Sequence, residues 1–190
     1  MGPDGPCNHM SKRVLLIIDL FNPEGFAEPP GLAAAALAAA RRTAALKVRL
    51  RRARVPVIYA NDNFGQWQSN FSKLVATCKG LPGEAGQIAK LLAPAPEDWA
   101  LLKPRHSAFY GTPLEFMLDE LGARSLVLTG VMTDSCITMT ADDAHMRKYD
   151  VWVPSDCVAS SSKARTRAAL RQLERVAGAT TGSSRSEIPR

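Results

Sequence analysis

The sequence is short of aromatics and histidine and has no long hydrophobic run, and each shortage excludes something. Phe, Trp and Tyr make up 6% of its 190 residues. Neither basic cluster is interleaved with aromatic side chains, and no groove-reading motif accompanies them, so no nucleic-acid partner is expected. The most apolar run, Val-Leu-Leu-Ile-Ile over 14–18, falls far below the ~20 residues that span a bilayer. It also lacks the flanks of a secretory signal, so no membrane partner is expected either. The four cysteines, Cys7, Cys78, Cys136 and Cys157, form no C-x-x-C pair and no zinc spacing. They read as free thiols of a cytoplasmic protein. No glycine-rich phosphate loop follows the first apolar run, where Asp19-Leu-Phe-Asn-Pro23 stands instead. That argues against dinucleotide enzymes and P-loop NTPases. There is no G-x-S-x-G elbow, and Ser160-Ser-Ser-Lys163, although it matches S-x-x-K, reads more simply as a helix cap.

What remains is an ordinary globular composition, 46% apolar and 22% charged. At this length one domain is the default, burying on the order of 70% of the surface its unfolded chain exposes. Residues 1–11 carry Gly, Pro and Asn without periodicity and read as a disordered tail or a cloning scar. The domain is placed at 12–184, with a second tail at 185–190. The formal charge is +6, from 24 basic and 18 acidic residues. Its excess is local: Arg41, Arg42, Lys47, Arg49, Arg51, Arg52 and Arg54 form one acid-free run. Lys163, Arg165, Arg167, Arg171 and Arg175 form a second, with only Glu174 among them. Both read as solvated faces of surface helices.

Strand-like and helix-like segments alternate along the chain. The run at 14–18 has no polar face, the mark of a parallel strand buried on both sides. A helix is expected over 32–54 and a second strand over 55–60. Short helices between Gly and Pro breaks follow over 61–98, then a strand over 99–103. A helix from Thr112 or Pro113 ends before Gly122; a strand at 125–130, a helix at 134–149 and a strand at 151–154 come next. A helix over 163–177 and a short strand at 179–181 close the pattern. This rhythm gives βαβ units and a three-layer α/β/α doubly wound sandwich around a mainly parallel sheet of five or six strands. In such a fold ligands sit beyond the carboxyl ends of the strands.

Three chemically different groups fall on that edge. Asp19 ends the first strand, Lys103 ends the third, and Cys136 lies just inside the helix after the fourth. Each alone has a bland reading: a turn residue, a solvated cation, a small core side chain. Their coincidence at the functional edge favours a nucleophilic site. With Thr133 as N-cap, Cys136 would sit in the first helical turn, where unpaired N–H groups and the macrodipole lower a thiol pKa and can hold an oxyanion. Asp19 and Lys103 would supply a proton acceptor and a cation. A Cys–His pair is the alternative. His9 lies in the tail, and His145 is roughly 13 Å up the same helix and half a turn out of phase. His106 remains open, in a loop after Pro104-Arg105.

Strand-plus-Asp19, Leu102-Lys103-Pro-Arg-His-Ser-Ala-Phe109-Tyr-Gly-Thr112 and Thr129-Gly130-Val131-Met132-Thr133-Asp-Ser-Cys136 together resemble the isochorismatase-like cysteine hydrolase superfamily over about residues 13–181. The resemblance implies Cys136 as nucleophile, Asp19 as general base and Lys103 as the cation that stabilises the thiolate and positions Asp19. It also implies a cis Val131–Met132 peptide and an oxyanion hole built from the backbone N–H groups of Met132 and Cys136. Isochorismatase proper resembles this fold but lacks the cysteine, so Cys136 points to hydrolysis of a C–N bond in a small amide, ureide or carbamoyl compound. Isochorismatase-type or nicotinamidase-type activity, or an idle relative serving as a binding protein, are the alternatives. Relatives of this kind suggest a homodimer or homotetramer.

Phe21, Asn61, Trp67 and Phe109 are candidate substrate contacts, with Phe64 and Tyr110 nearby. Phe64, Trp67 and Phe71 also stand at i, i+3 and i+7, a helical stripe that reads as core. Asp62 is a substrate contact or a turn residue. No cofactor is expected. Nicotinamidases bind a divalent metal through an Asp-x-His pair and a further His after the second strand, but Asn61-Asp62-Asn63-Phe64 stands at the matching place. One carboxylate is not the three or four ligands a zinc-like ion requires.

Overall fold

The computed structural model describes residues 12–187, so the tail assigned to 1–11 and the last three residues lie outside the described part. The first strand, β1 (Lys12–Ile18), leads through a loop to helix α1 (Leu32–Arg52). Then come β2 (Val57–Asp62), α2 (Phe71–Gly80), α3 (Gly83–Leu91), β3 (Trp99–Lys103), α4 (Leu114–Glu120) and β4 (Ala123–Val131). A five-residue π-helical turn (Thr133–Ile137) runs directly into α5 (Thr138–Met146). Then follow β5 (Asp150–Trp152), β6 (Val158–Ala159) and α6 (Lys163–Val176).

The strands form one sheet in the order β3-β2-β1-β4-β5, with β6 on β4 beyond the end of β5. Every named pairing is parallel. The alternation of β1 divides the core in two. Leu15 and Ile17 face α1, α2 and α3, while Val14, Leu16 and Ile18 face α4, α5 and α6. All five are buried, each contributing roughly 1.5–3 kcal/mol against exposure. The chain runs outward from β1 to β3, then returns to place β4 on the other side of β1. The crevice of this switch therefore opens at the carboxyl ends of β1 and β4.

Several sequence expectations need correction. The 134–149 helix begins instead as the π turn. The strand at 179–181 is only a single bridge, Trp152 to Thr180. No helix carries the 64/67/71 stripe: residues 64–68 are turns, and α2 starts at Phe71 because the Asn70 side chain caps it by accepting from Lys73 N–H. Lys47 does not belong to a solvated face; it is buried, for reasons taken up below.

Candidate active site

β1 ends where Asp19 enters the left-handed region, φ 52°, which aspartate tolerates better than most residues. The Asp19 N–H still donates to Ala60 O, so the turn stays tied to β2. Its carboxylate reaches sideways across the sheet edge. Oδ1 accepts the Asp62 N–H at 2.7 Å, and Oδ2 lies 2.8 Å from Lys103 Nζ. Lys103 is fully buried. Its ammonium also donates to Arg105 O at 3.2 Å, lies 3.7 Å from Asp62 and stands 3.6 Å from Cys136 Sγ.

β4 delivers the cysteine. Gly130 pairs with Ile18, and its φ is +119°. A Cβ there would stand 1.9 Å from Ile18 O, so only glycine lets the two central strands meet at this point. The following Val131–Met132 peptide is cis. Met132, not Thr133, holds the N-cap position of the π turn, and its carbonyl accepts N–H groups from Ser135 and Ile137. Thr133 is buried within the turn, and its hydroxyl has no partner among the described residues. Thr138 Oγ1 donates to Thr133 O, and Asp134 is fastened to Ser160 and Arg165. The cysteine therefore rides on a turn fixed at both ends.

Electrostatics at the site reverse one expectation. A lowered thiol pKa is expected from the turn position, yet burial and the Asp19 charge push the Cys136 thiol up to about 12, Lys103 opposing them. Burial also raises Asp19 above its ordinary value, against the pull of Lys103 and a hydrogen bond with the Cys136 thiol. For Lys103, burial alone would lower the ammonium, but Asp19, Cys136 and Asp62 outweigh it and hold the pKa up. A thiol raised this far is neutral near pH 7, and it lies in hydrogen-bonding reach of the Asp19 carboxyl that pairs with Lys103.

The remaining candidates separate. Phe21 is buried in the core, packed against Tyr59 and Phe71 at ring separations of 5.7 and 5.5 Å. Asn61 is spent on a clasp: its side chain accepts Phe21 N–H and donates to Phe21 O. Phe109 is buried beneath the Arg147 guanidinium, 4.7 Å from its ring centroid, and beside Tyr149. All three are packed into the walls of the sheet edge. Trp67 is 76% exposed and faces a cleft of about 320 Å³ lined also by Asp62, Asn63, Phe64, Arg105 and His106. Asp62 keeps both of its readings, since Oδ1 accepts Phe64 N–H in a turn while Oδ2 faces Lys103.

His106 is the residue that sequence reasoning underrated. Its Nδ1 lies 3.6 Å from Cys136 Sγ and 3.2 Å from Ser135 Oγ. The signal was weak because its nearness to Cys136 depends on how the 104–112 loop folds back. Ser107 bonds Asp143, Ala108 N–H donates to Thr140, and Thr112 closes onto Ala108 O. Asp62 and His106 share the cleft, and no group of three His, Cys, Asp or Glu side chains able to hold an ion is found among the described residues.

The isochorismatase domain family model matches residues 13–185. YaaI of Bacillus subtilis, an uncharacterized isochorismatase family protein, is 36% identical over 169 residues, covering 88% of this chain and 92% of YaaI. RutB of Methylorubrum extorquens, a ureidoacrylate amidohydrolase, is 41% identical over 88 residues, which is 46% of this chain and 36% of RutB. The crystal structure of N-carbamoylsarcosine amidase from Thermoplasma acidophilum is similar with a TM-score of 0.72 at 26% identity, covering 94% of this chain and 99% of that one. With a family match spanning nearly all of the described chain, the expected parallel sheet and a cysteine at its switch point, this protein belongs to the isochorismatase family of hydrolases.

Proposed function

We propose that the protein is a cysteine hydrolase cleaving a C–N bond of a small amide, ureide or carbamoyl compound through a thioester on Cys136. The observation that carries this reading is the single ammonium of Lys103 placed between the Asp19 carboxylate, at 2.8 Å, and the Cys136 sulfur, at 3.6 Å. The names of RutB and of the Thermoplasma amidase, both acting on C–N bonds of ureido or carbamoyl substrates, support the same class.

Asp19 takes the thiol proton as Sγ attacks the substrate carbonyl carbon. Because Asp19 raises the thiol pKa, a free thiolate is disfavoured at rest and charge builds only as attack proceeds. Lys103 then balances the negative charge shared by Asp19 and sulfur. Backbone N–H groups of Met132 and Cys136 hold the tetrahedral oxyanion, the fixed turn keeping them from reorganising. Asp19 gives its proton to the departing nitrogen as the C–N bond breaks, leaving the thioester. Water cleaves it and restores the thiol. The cleft beside Trp67 holds the rest of the substrate.

Ammonia release from a panel of small amides, ureides and carbamoyl acids tests the reading. Turnover by the parent protein, lost in Cys136→Ala, is the expected result. A panel substrate still hydrolysed at the parent rate by Cys136→Ala would overturn it.

A further inference from the structure

We propose that His106 is the general base for the second half of the reaction, activating the water that hydrolyses the thioester. The inference rests on the cysteine-hydrolase reading above and assigns one of its steps to a residue outside the Asp19–Lys103–Cys136 cluster.

The groups around the sulfur differ in their access to solvent. Lys103 and Asp19 are both largely shielded: their side chains are 0% and 13% exposed. Asp19 is held by Lys103 on one oxygen and by Asp62 N–H on the other. His106 is exposed and lines the cleft, with Nδ1 3.6 Å from Sγ. Water for deacylation enters from solvent, and His106 is the group within reach of the sulfur that is most open to it.

The histidine is held in place for this. Its neighbours Ser107 and Ala108 are bonded to Asp143 and Thr140 of α5, the helix that continues from the turn carrying Cys136. Ser135, beside the nucleophile, places its hydroxyl 3.2 Å from the same Nδ1. In the tautomer with its proton on Nε2, Nδ1 carries a single lone pair and accepts. The one thiol proton is hydrogen-bonded to Asp19, so this lone pair is not engaged by the thiol. When the Ser135 hydroxyl rotates away, it is open to a water molecule next to the acyl carbon.

The step balances. His106 Nδ1 takes one proton from water as its oxygen bonds to the acyl carbon, forming a tetrahedral intermediate. Collapse breaks the C–S bond, the electron pair leaves on sulfur beside Lys103, and His106 returns the proton to sulfur. The product leaves as a carboxylic acid, which ionises in solvent.

The test uses p-nitrophenyl acetate as an acylating probe on the full chain, followed by stopped-flow and intact mass. In the parent protein, p-nitrophenolate appears in a burst and then at a steady rate. In His106→Gln, the burst should keep its amplitude and stay within about threefold in rate. The steady rate should fall by about 10²-fold, the usual worth of a general base, with S-acetyl-Cys136 accumulating. In His106→Ala, added imidazole should restore the steady rate, a rescue that a merely structural role would not give. A burst and steady rate that fall together, or that both stay unchanged, or a loss imidazole cannot restore, overturns the assignment. If the parent protein never forms S-acetyl-Cys136, the nucleophile reading itself fails, and this inference with it.

Discussion

Two buried lysine–aspartate pairs flank β3. Asp98, just before the strand, lies 2.9 Å from Lys47; Lys103, its last residue, lies 2.8 Å from Asp19. By distance the pairs are alike, but their surroundings are not. Lys47 donates to Tyr59 OH and Ala93 O as well as to Asp98, and Asp98 also takes Arg51 and Ala95 N–H. Tyr59 OH in turn donates to Leu92 O. Burial works to raise Asp98, yet its donors hold it below its ordinary value; burial lowers Lys47. Around Lys103 the directions are opposite: Asp19 is raised and so is the lysine. One pair has its charges satisfied and clamps α1 to the start of β3. The other faces a thiol, the Cys136 sulfur lying 3.6 Å from its ammonium. A buried ion pair does not reveal its purpose by its length.

Exchanging the two lysines' fates should separate these roles most sharply. Lys103→Met should lower activity by at least about 10³-fold while the protein stays folded, and Cys136→Ala should do the same. Lys47→Met should leave activity per folded molecule within about threefold. Ammonia release normalised to folded protein by circular dichroism checks both.

Next in size is an effect of opposite signs at one residue. Asp19→Asn should reduce turnover by about 10³-fold, yet iodoacetamide should alkylate Cys136 about tenfold faster at neutral pH. The carboxylate raises the thiol pKa, and its removal leaves Lys103 to lower it. Peptide mapping reads the site, and in the parent Cys136 should be modified ahead of Cys78 and Cys157, both fully buried.

Asp98→Ala should cost about 3–5 kcal/mol in urea unfolding, because it leaves the Lys47 charge buried without its partner. The pH dependence has a definite sign. Since the folded-state pKa of Asp98 is lowered, its contribution is fully present above the unfolded carboxylate value of about 3.9. It is lost as pH falls from there through the folded value. The parent and Asp98→Ala should therefore converge in stability in strong acid.

Smaller effects belong to the cleft. Trp67→Ala should raise KM about three- to tenfold with little change in kcat, since the exposed ring touches the cleft and not the reacting atoms. Dialysis against a strong chelator should change turnover by less than about twofold. Activity that vanishes and returns with zinc or manganese would overturn the fit argument made from Asp62 and His106.

Some of this was legible in the chain because it is local. The apolar run at 14–18 reads as a strand buried on both sides, and Asp19, Lys103 and Cys136 each lie at or just beyond the carboxyl end of a strand, so a parallel sheet puts them on one edge. β6 was missed because two residues give no periodicity, and the π turn because its departure from α-helix depends on how Thr133–Ile137 is tied to Ser160 and α6. That Phe21, Asn61 and Phe109 are buried could not be read from the chain, because aromatic and amide side chains beside a site look alike whether they face inward or outward.

The sequence by itself determined the alternation of strands and helices and the sheet edge at which Asp19, Lys103 and Cys136 gather, since each follows from the order of residues along a strand. Only the tertiary structure decided that Lys47 is buried against Asp98, that Cys136 is a high-pKa thiol and that His106 stands beside it. The physical reason is that burial, the field of a neighbouring charge and the reach of a loop are set by contacts between residues far apart in the chain, here up to 51 positions for Lys47 and Asp98 and 30 for Cys136 and His106, and no local pattern encodes them.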